Sequence, residues 1–167
     1  MALNKCRECG RDISDQAMAC PHCGAPFPAR ADWMGWGVDK ELGPRIFGYP
    51  FVHIAFGRDA RGRLRVAKGV IAIGQFAIGG ISIAQFGVGL IGGIGQMILA
   101  PLALAQLAAG YITVGQIVIG YMGLAQAGLA VHLWSMHRAD PEAVRFFKEL
   151  FYTILQLIGQ KPPAERV

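Results

Sequence analysis

The sequence predicts a mainly β protein: a small cysteine-bearing module, a stack of short strands wound as a β-solenoid of pentad repeats, and one C-terminal amphipathic helix. Three observations carry that expectation. No side chain from Gly69 to Val131 is charged, and along those 63 residues glutamine returns on a near-fixed beat at Gln75, Gln85, Gln96, Gln106, Gln116 and Gln126. Each decad divides into two pentads, as in Gln75-Phe76-Ala77-Ile78-Gly79, and internal periodicity of this kind marks a stacked repeat. The charges gather before and after the block, so the 167-residue chain is modular.

Residues 1–27 hold all four cysteines, as Cys6-x2-Cys9 and Cys20-x2-Cys23, each pair followed by a glycine, Gly10 or Gly24. Two residues between thiolates let both sulfurs reach one tetrahedral Zn²⁺ at about 2.3 Å, and the glycine lets the backbone turn beneath the metal. The runs Cys6-Arg7-Glu8-Cys9-Gly10 and Cys20-Pro21-His22-Cys23-Gly24-Ala25-Pro26 resemble the short zinc ribbons at the N-termini of many bacterial proteins. The resemblance implies structural zinc on Cys6, Cys9, Cys20 and Cys23. A closed site of four thiolates offers no open coordination position for a catalytic water, and so small a segment needs its metal to fold. His22 is read as a solvated side chain. Lys5, Arg7 and Arg11 are opposed by Glu8, Asp12 and Asp15, so nucleic acid is not an expected partner, whereas a protein partner for the ribbon stays open. The start shows no apolar stretch after a basic one, which reads as a cytoplasmic N-terminus.

Residues 28–48 read as a linker, introduced by the proline-spaced Ala25-Pro26-Phe27-Pro28. Residues 49–68 read as a β-hairpin lead-in: Val52, Ile54 and Phe56 share one strand face, and Arg58–Arg63 is turn-like. His53 faces the other way, as a surface histidine. Arg58, Arg61, Arg63, Arg65 and Lys68 oppose a single Asp59, a cluster suited to anionic headgroups or an acidic partner, and the chain carries a net +5.

For residues 69–131, length and hydropathy also allow two or three transmembrane helices. Fourteen of the 63 residues are glycine, each costing about 0.8–1 kcal/mol against alanine in a helix interior. Five residues advance a helix by about 500°, which spreads the pentad's bulky positions over every face. In a strand, residues two apart share a face and a glycine every fifth position turns a corner. The pairs Gly74/Phe76, Gly79/Ile81, Ala84/Phe86, Gly115/Ile117 and their equivalents resemble the pentapeptide-repeat family. That resemblance implies a right-handed quadrilateral β-helix with four pentads per coil, the small residue at i−2 and the large one at i both pointing inward. Gln75, Gln96 and Gln116 would then share one column and Gln85, Gln106 and Gln126 another. The extra residue in Ile91-Gly92-Gly93-Ile94-Gly95 reads as a bulged corner, and Pro101 with the glycine-free run Gln96–Ala109 leaves room for a local helix. The family's polar residues at i+2 are replaced here by Ile78, Ile83, Val88, Val114, Ile119 and others, an apolar exterior larger than a monomer usually shows to water.

Residues 140–159 form an amphipathic helix with Asp140 as N-cap and Pro141 in the first turn. Its apolar face, Val144, Phe147, Leu150, Phe151, Ile154 and Ile158, is expected to cover one side of the repeat, with a lipid interface as the alternative. Residues 160–167 are a tail. Apolar residues make up 53% of the chain and charged ones 16%, below the usual 25% or so, which leans toward a membrane or an assembly. No nucleophile and base, carboxylate pair or phosphate loop is recognisable, so no enzyme activity or small-molecule substrate is expected. The function read from the residues is a non-enzymatic, zinc-binding, membrane-associated scaffold or interaction protein. The alternatives are a soluble cytoplasmic homo-oligomer that buries its apolar sides between subunits, and a small multi-span membrane protein with a cytosolic ribbon.

Overall fold

The computed structural model describes residues 2–159, which fall into two compact units: one reaches Trp36 and takes in Arg58–Arg63, the other comprises Gly37–Gly57 and the chain from Leu64. The tail at 160–167 lies outside the described residues.

In the first unit, β1 (Leu3–Lys5) pairs antiparallel with β2 (Asp12–Ser14), and Cys6, Ile13, Cys20 and Ala25 form its small core. Arg58–Arg63 is a turn closed by Asp59. Its carboxylate accepts the backbone N–H groups of Arg61 and Arg63, each at 2.9 Å, and the Arg63 Nε at 3.0 Å. These contacts, led by the Arg63 N–H, hold the Asp59 pKa below the usual carboxylate range.

The second unit is a ladder in the order β3 (Gly35–Ile46), β4 (Tyr49–Asp59), β5 (Val66–Leu99) and β6 (Leu102–Trp134), followed by α1 (Pro141–Leu157). The lead-in differs from expectation. The antiparallel hairpin joins β3 to β4 through Phe47 and Gly48, whose φ of 52° and 84° suit a two-residue turn of the type that matches strand twist. Residues 35–46, read as linker, are therefore strand. Beyond the Asp59 turn the ladder is parallel, with Val52 opposite Ile71 and Ala55 opposite Gly74.

A straight strand with the 34 residues of β5 would be about 110 Å long. The pairing is of short range instead. Gly92 lies opposite Leu102 and Met97 opposite Leu107, a register of ten. The rings of Phe76 and Phe86 stack at 5.3 Å, and those of Tyr111 and Tyr121 at 4.9 Å. One decad is thus one rung, which corrects the expected twenty-residue coil and its two glutamine columns. A register of ten, stretched to eleven where Gly95 faces Ala84 across the inserted residue, puts all six glutamines in a single file.

The direction of the side chains is corrected as well. The bulky residues at i point outward: Ile81, Phe86, Met97, Leu102 and Ile117 are exposed. The interior belongs to i+1 and i−2. Ala72, Ala77, Ser82, Ala103, Ala108, Thr113 and Val118 are buried, with Ala84, Ala100 and Ala105 beside them. Small side chains fill nearly all of these inward positions. The three larger inner residues, Ile98, Val118 and Leu133, fit where glycine clears the space. A Cβ on Gly87 or Gly93 would lie 2.9 or 2.8 Å from Ile98, and one on Gly123 or Gly128 would lie 2.9 or 2.6 Å from Val118.

No helix among the described residues is long and apolar enough to cross a membrane. The two or three transmembrane helices are therefore set aside, and Gln96–Ala109 carries no local helix. It ends β5, bends at Ala100-Pro101 and begins β6, with the Ala100 N–H donating to the Ala109 carbonyl and the Tyr111 and Ile112 N–H groups to that of Pro101.

Helix α1 starts where the sequence places it. The Asp140 carboxylate accepts from the N–H of Glu142 and pairs with His132 at 3.1 Å. Only its first half meets β6: Ala143 and Phe147 are buried, whereas Leu150, Phe151, Ile154, Leu157 and Ile158 are exposed, so the expected cover over one side of the repeat is partial. His132 first, then the N–H groups of Ala143 and Glu142, hold the Asp140 pKa below its ordinary value. A carboxylate with a depressed folded pKa lends stability above its ordinary pKa of about 3.9 and loses it as pH falls through the folded value. The start of α1 should therefore fray below about pH 4. At pH 7 Asp140→Ala should show the same loss of Ala143 amide protection in hydrogen exchange, while Asp140→Asn, which keeps an acceptor, retains much of it.

Candidate metal centre and apolar surface

Each cysteine pair sits on a tight turn of the same build. The Gly10 N–H donates to the Cys6 carbonyl and the Gly24 N–H to that of Cys20, both at 2.9 Å, and Cys6 and Cys20 donate in turn to the carbonyls of Arg11 and Ala25. Gly10 and Gly24 have φ of 69° and 75°, the left-handed region in which a side chain is strained. The two turns face each other and bring the Sγ atoms of Cys6, Cys9, Cys20 and Cys23 within 4.8 Å of one another. The Cys6–Cys23 and Cys9–Cys20 separations are both 3.7 Å. A sulfur tetrahedron around an ion about 2.3 Å away has edges of about 3.8 Å, whereas a disulfide requires about 2.05 Å. The four cysteines could therefore hold a metal ion, and four thiolates suit a soft or borderline dication.

The electrostatics fit that role. The N–H groups of Cys9 and Glu8 draw the Cys6 thiol down to about 6, against the pull of burial. For Cys23 the Ala25 N–H acts in the same direction, but burial and the neighbouring thiols of Cys20, Cys9 and Cys6 outweigh it and push the pKa up to about 12. Four sulfurs this close ionise together only with a cation among them. His22 is exposed and its Nδ1 lies 3.2 Å from Arg11, outside the cluster, as the sequence places it.

Beside the cluster is an open cleft of about 560 Å³, lined by Glu8, Cys23, Trp33, Trp36, Arg58 and Arg61 among others. Trp33 and Trp36 close one side as an aromatic group with Phe27, and the Arg7 guanidinium lies over Trp33 at 4.6 Å.

The basic residues singled out in the sequence have unlike surroundings. Arg58 donates to the Gly62 carbonyl and Arg63 to Asp59, while Arg61 and Lys68 are exposed. Arg65 is nearly buried and pairs with Asp39, which also accepts a hydrogen bond from His53 Nε2 at 2.9 Å. The His53 Nδ1 accepts from the Lys68 N–H at 2.8 Å, so the ring is fixed from both sides. Sequence reading left Asp39 unremarked because its partners lie 14 and 26 positions away; only the β3–β4 hairpin unites them. The His53 hydrogen bond, then Arg65, lower the Asp39 pKa.

Of the apolar positions expected to face outward, Ile78, Ile83, Val88 and Ile119 are 42–51% exposed and Val114 is half-buried. Each rung turns six positions outward, and five of the six files are mostly apolar; the sixth is the glutamine file. Compared with known protein families, with curated proteins and with solved structures, the chain matches none.

Proposed function

We propose that the repeat is a β-solenoid with one decad per coil, and that the protein is a non-enzymatic, membrane-associated scaffold carrying a zinc ribbon at its cytoplasmic N-terminus. The observation behind this reading is the inversion of the repeat: small residues fill the inside and large apolar ones stand outside. Ile78, Leu99, Leu104, Ile117 and Leu129 are each about half exposed or more, on a block without a charge. Contiguous apolar surface on this scale marks a site of contact with lipid or protein. The exposed apolar half of α1 adds a helix of the kind that lies in a lipid interface.

The test is flotation of the full-length, zinc-loaded protein with vesicles of neutral and of part-anionic lipid. It should float with both, more completely with the anionic vesicles because of Arg61 and Lys68. Protein that stays at the bottom of the gradient and is monomeric by light scattering in plain buffer would overturn the reading. Protein that stays at the bottom as a defined multimer would point to the homo-oligomer, in which copies of the chain cover the same apolar files.

A further inference from the structure

We infer that the wound repeat crosses the bilayer with its long axis along the membrane normal, its outward files bathed in lipid hydrocarbon. The inference rests on the membrane reading above and adds an orientation to it.

Height is the first argument. At ten residues per rung, the 63 uncharged residues make about six rungs, and at about 4.8 Å per rung they stand about 30 Å tall. The hydrocarbon core of a bilayer is about 30 Å thick.

The second argument is where the charges stand. At the first-rung end are Asp39, His53, Arg65 and Lys68; at the last-rung end are His132, Arg138 and Asp140, with Trp134 beside them. A chain lying flat on the surface would need one wet side along its length, and none of the six files supplies a charge. The glutamine file is the one polar strip, and its amides stand one rung apart, the spacing at which stacked amides bond to one another.

Backbone chemistry is the third. Lipid tolerates only backbone whose N–H and C=O groups are bonded within the protein. Here residues 92–99 pair with residues 102–109, rung on rung, and the bend at Ala100-Pro101 is bonded too. The two open edges fall at the ends. The first is covered by β4 and β3, and at the last the Leu133 carbonyl accepts the Asp140 N–H.

An apolar groove of about 460 Å³ adds a direction. Phe76, Phe86 and Met97 form one wall and Ile78, Val88 and Leu99 the other, each set one rung after another, so the groove runs along the stacking axis. An acyl chain seated in it lies parallel to that axis, which is the bilayer normal only if the repeat stands upright.

The experiment is polarised infrared spectroscopy of the full-length, zinc-loaded protein in oriented bilayers of phosphatidylcholine with phosphatidylglycerol. In a wound ladder the backbone C=O groups point from rung to rung, so the β amide I absorption reports the stacking axis. Absorption polarised along the bilayer normal is the expected result. Absorption polarised in the membrane plane, or without preference, would overturn the spanning orientation and leave membrane association standing. Protein that washes off the bilayers would overturn both.

Discussion

Gly115→Ala is expected to unfold the repeat, although the same file carries alanine one rung earlier and one rung later. The Gly115 file reads Gly74, Ala84, Gly95, Ala105, Gly115, Ala125, alternating along the stack. A Cβ on Gly115 would lie 1.8 Å from the Ala105 carbonyl oxygen, and one on Gly95 would lie 1.7 Å from that of Ala84. Those oxygens are backbone in the middle of a ladder and cannot move aside without parting two rungs. Single substitutions costing more than about 4 kcal/mol are exceptional, and this clash belongs among them. The measurement is the thermal melt of the far-UV β signal in mild detergent, set against two comparisons. Ala105→Gly, which removes a methyl from the same file, should cost only about 0.5–1 kcal/mol. Gly62→Ala, at φ 77° with nothing within 4 Å, should cost about 1–2 kcal/mol for its left-handed backbone alone. A Gly115→Ala protein that melts like the parent would mean that the rungs are not stacked in a register of ten.

That register is also where sequence and structure part. The decad is plain from Gln75 to Gln126, and a period of five favours strands over the transmembrane helices that hydropathy also allows. Whether neighbouring rungs lie ten or twenty residues apart is not legible in the sequence, because pentads tile both. The inward role passes from i to i+1 for the same reason, while i−2 stays inside and i+2 outside. A residue pair such as Ile81 and Ser82 alternates in either arrangement, and the large member at i goes inside only if the interior is wide enough to hold it. With small residues filling the inward positions, Ser82 is buried and Ile81 exposed. One signal was present. The i+1 file, Ala72, Ala77, Ser82, Gly87, Ala103, Ala108, Thr113, Gly123, is small at nearly every position, which a solvent-facing file has no reason to be. The capping of α1 by Asp140 and the two cysteine turns were legible because their chemistry is local. The pairing of β3 with β4, and the Asp39–His53–Arg65 contacts it creates, depends on residues distant in sequence.

Removing the metal should collapse the first 30 residues and leave the β signal of the repeat in place. The core of the N-terminal module is Cys6, Ile13, Cys20 and Ala25, and two of those four are ligand candidates. One isoleucine and one alanine cannot offset the ordering of such a segment, which costs roughly 1–2 kcal/mol per residue in backbone entropy. Structural zinc in modules of this size supplies about 10–16 kcal/mol of binding free energy at pH 7, and that energy is folding energy. The zinc-loaded protein is expected to contain one ion per chain by elemental analysis, and to show dispersed amide resonances for residues 2–30. A strong chelator should remove the ion, merge those resonances into the unfolded range, and restore them when Zn²⁺ returns. Cys20→Ser should do the same permanently. Cys20 is 3% exposed, so a serine there leaves a buried hydroxyl where a thiolate met the ion. Cobalt gives an independent readout, since a tetrahedral set of four thiolates colours it intensely and loss of one sulfur shifts the bands. Resonances that stay dispersed after the ion is gone would show that the two glycine turns, with their backbone hydrogen bonds to Cys6 and Cys20, hold the module together unaided.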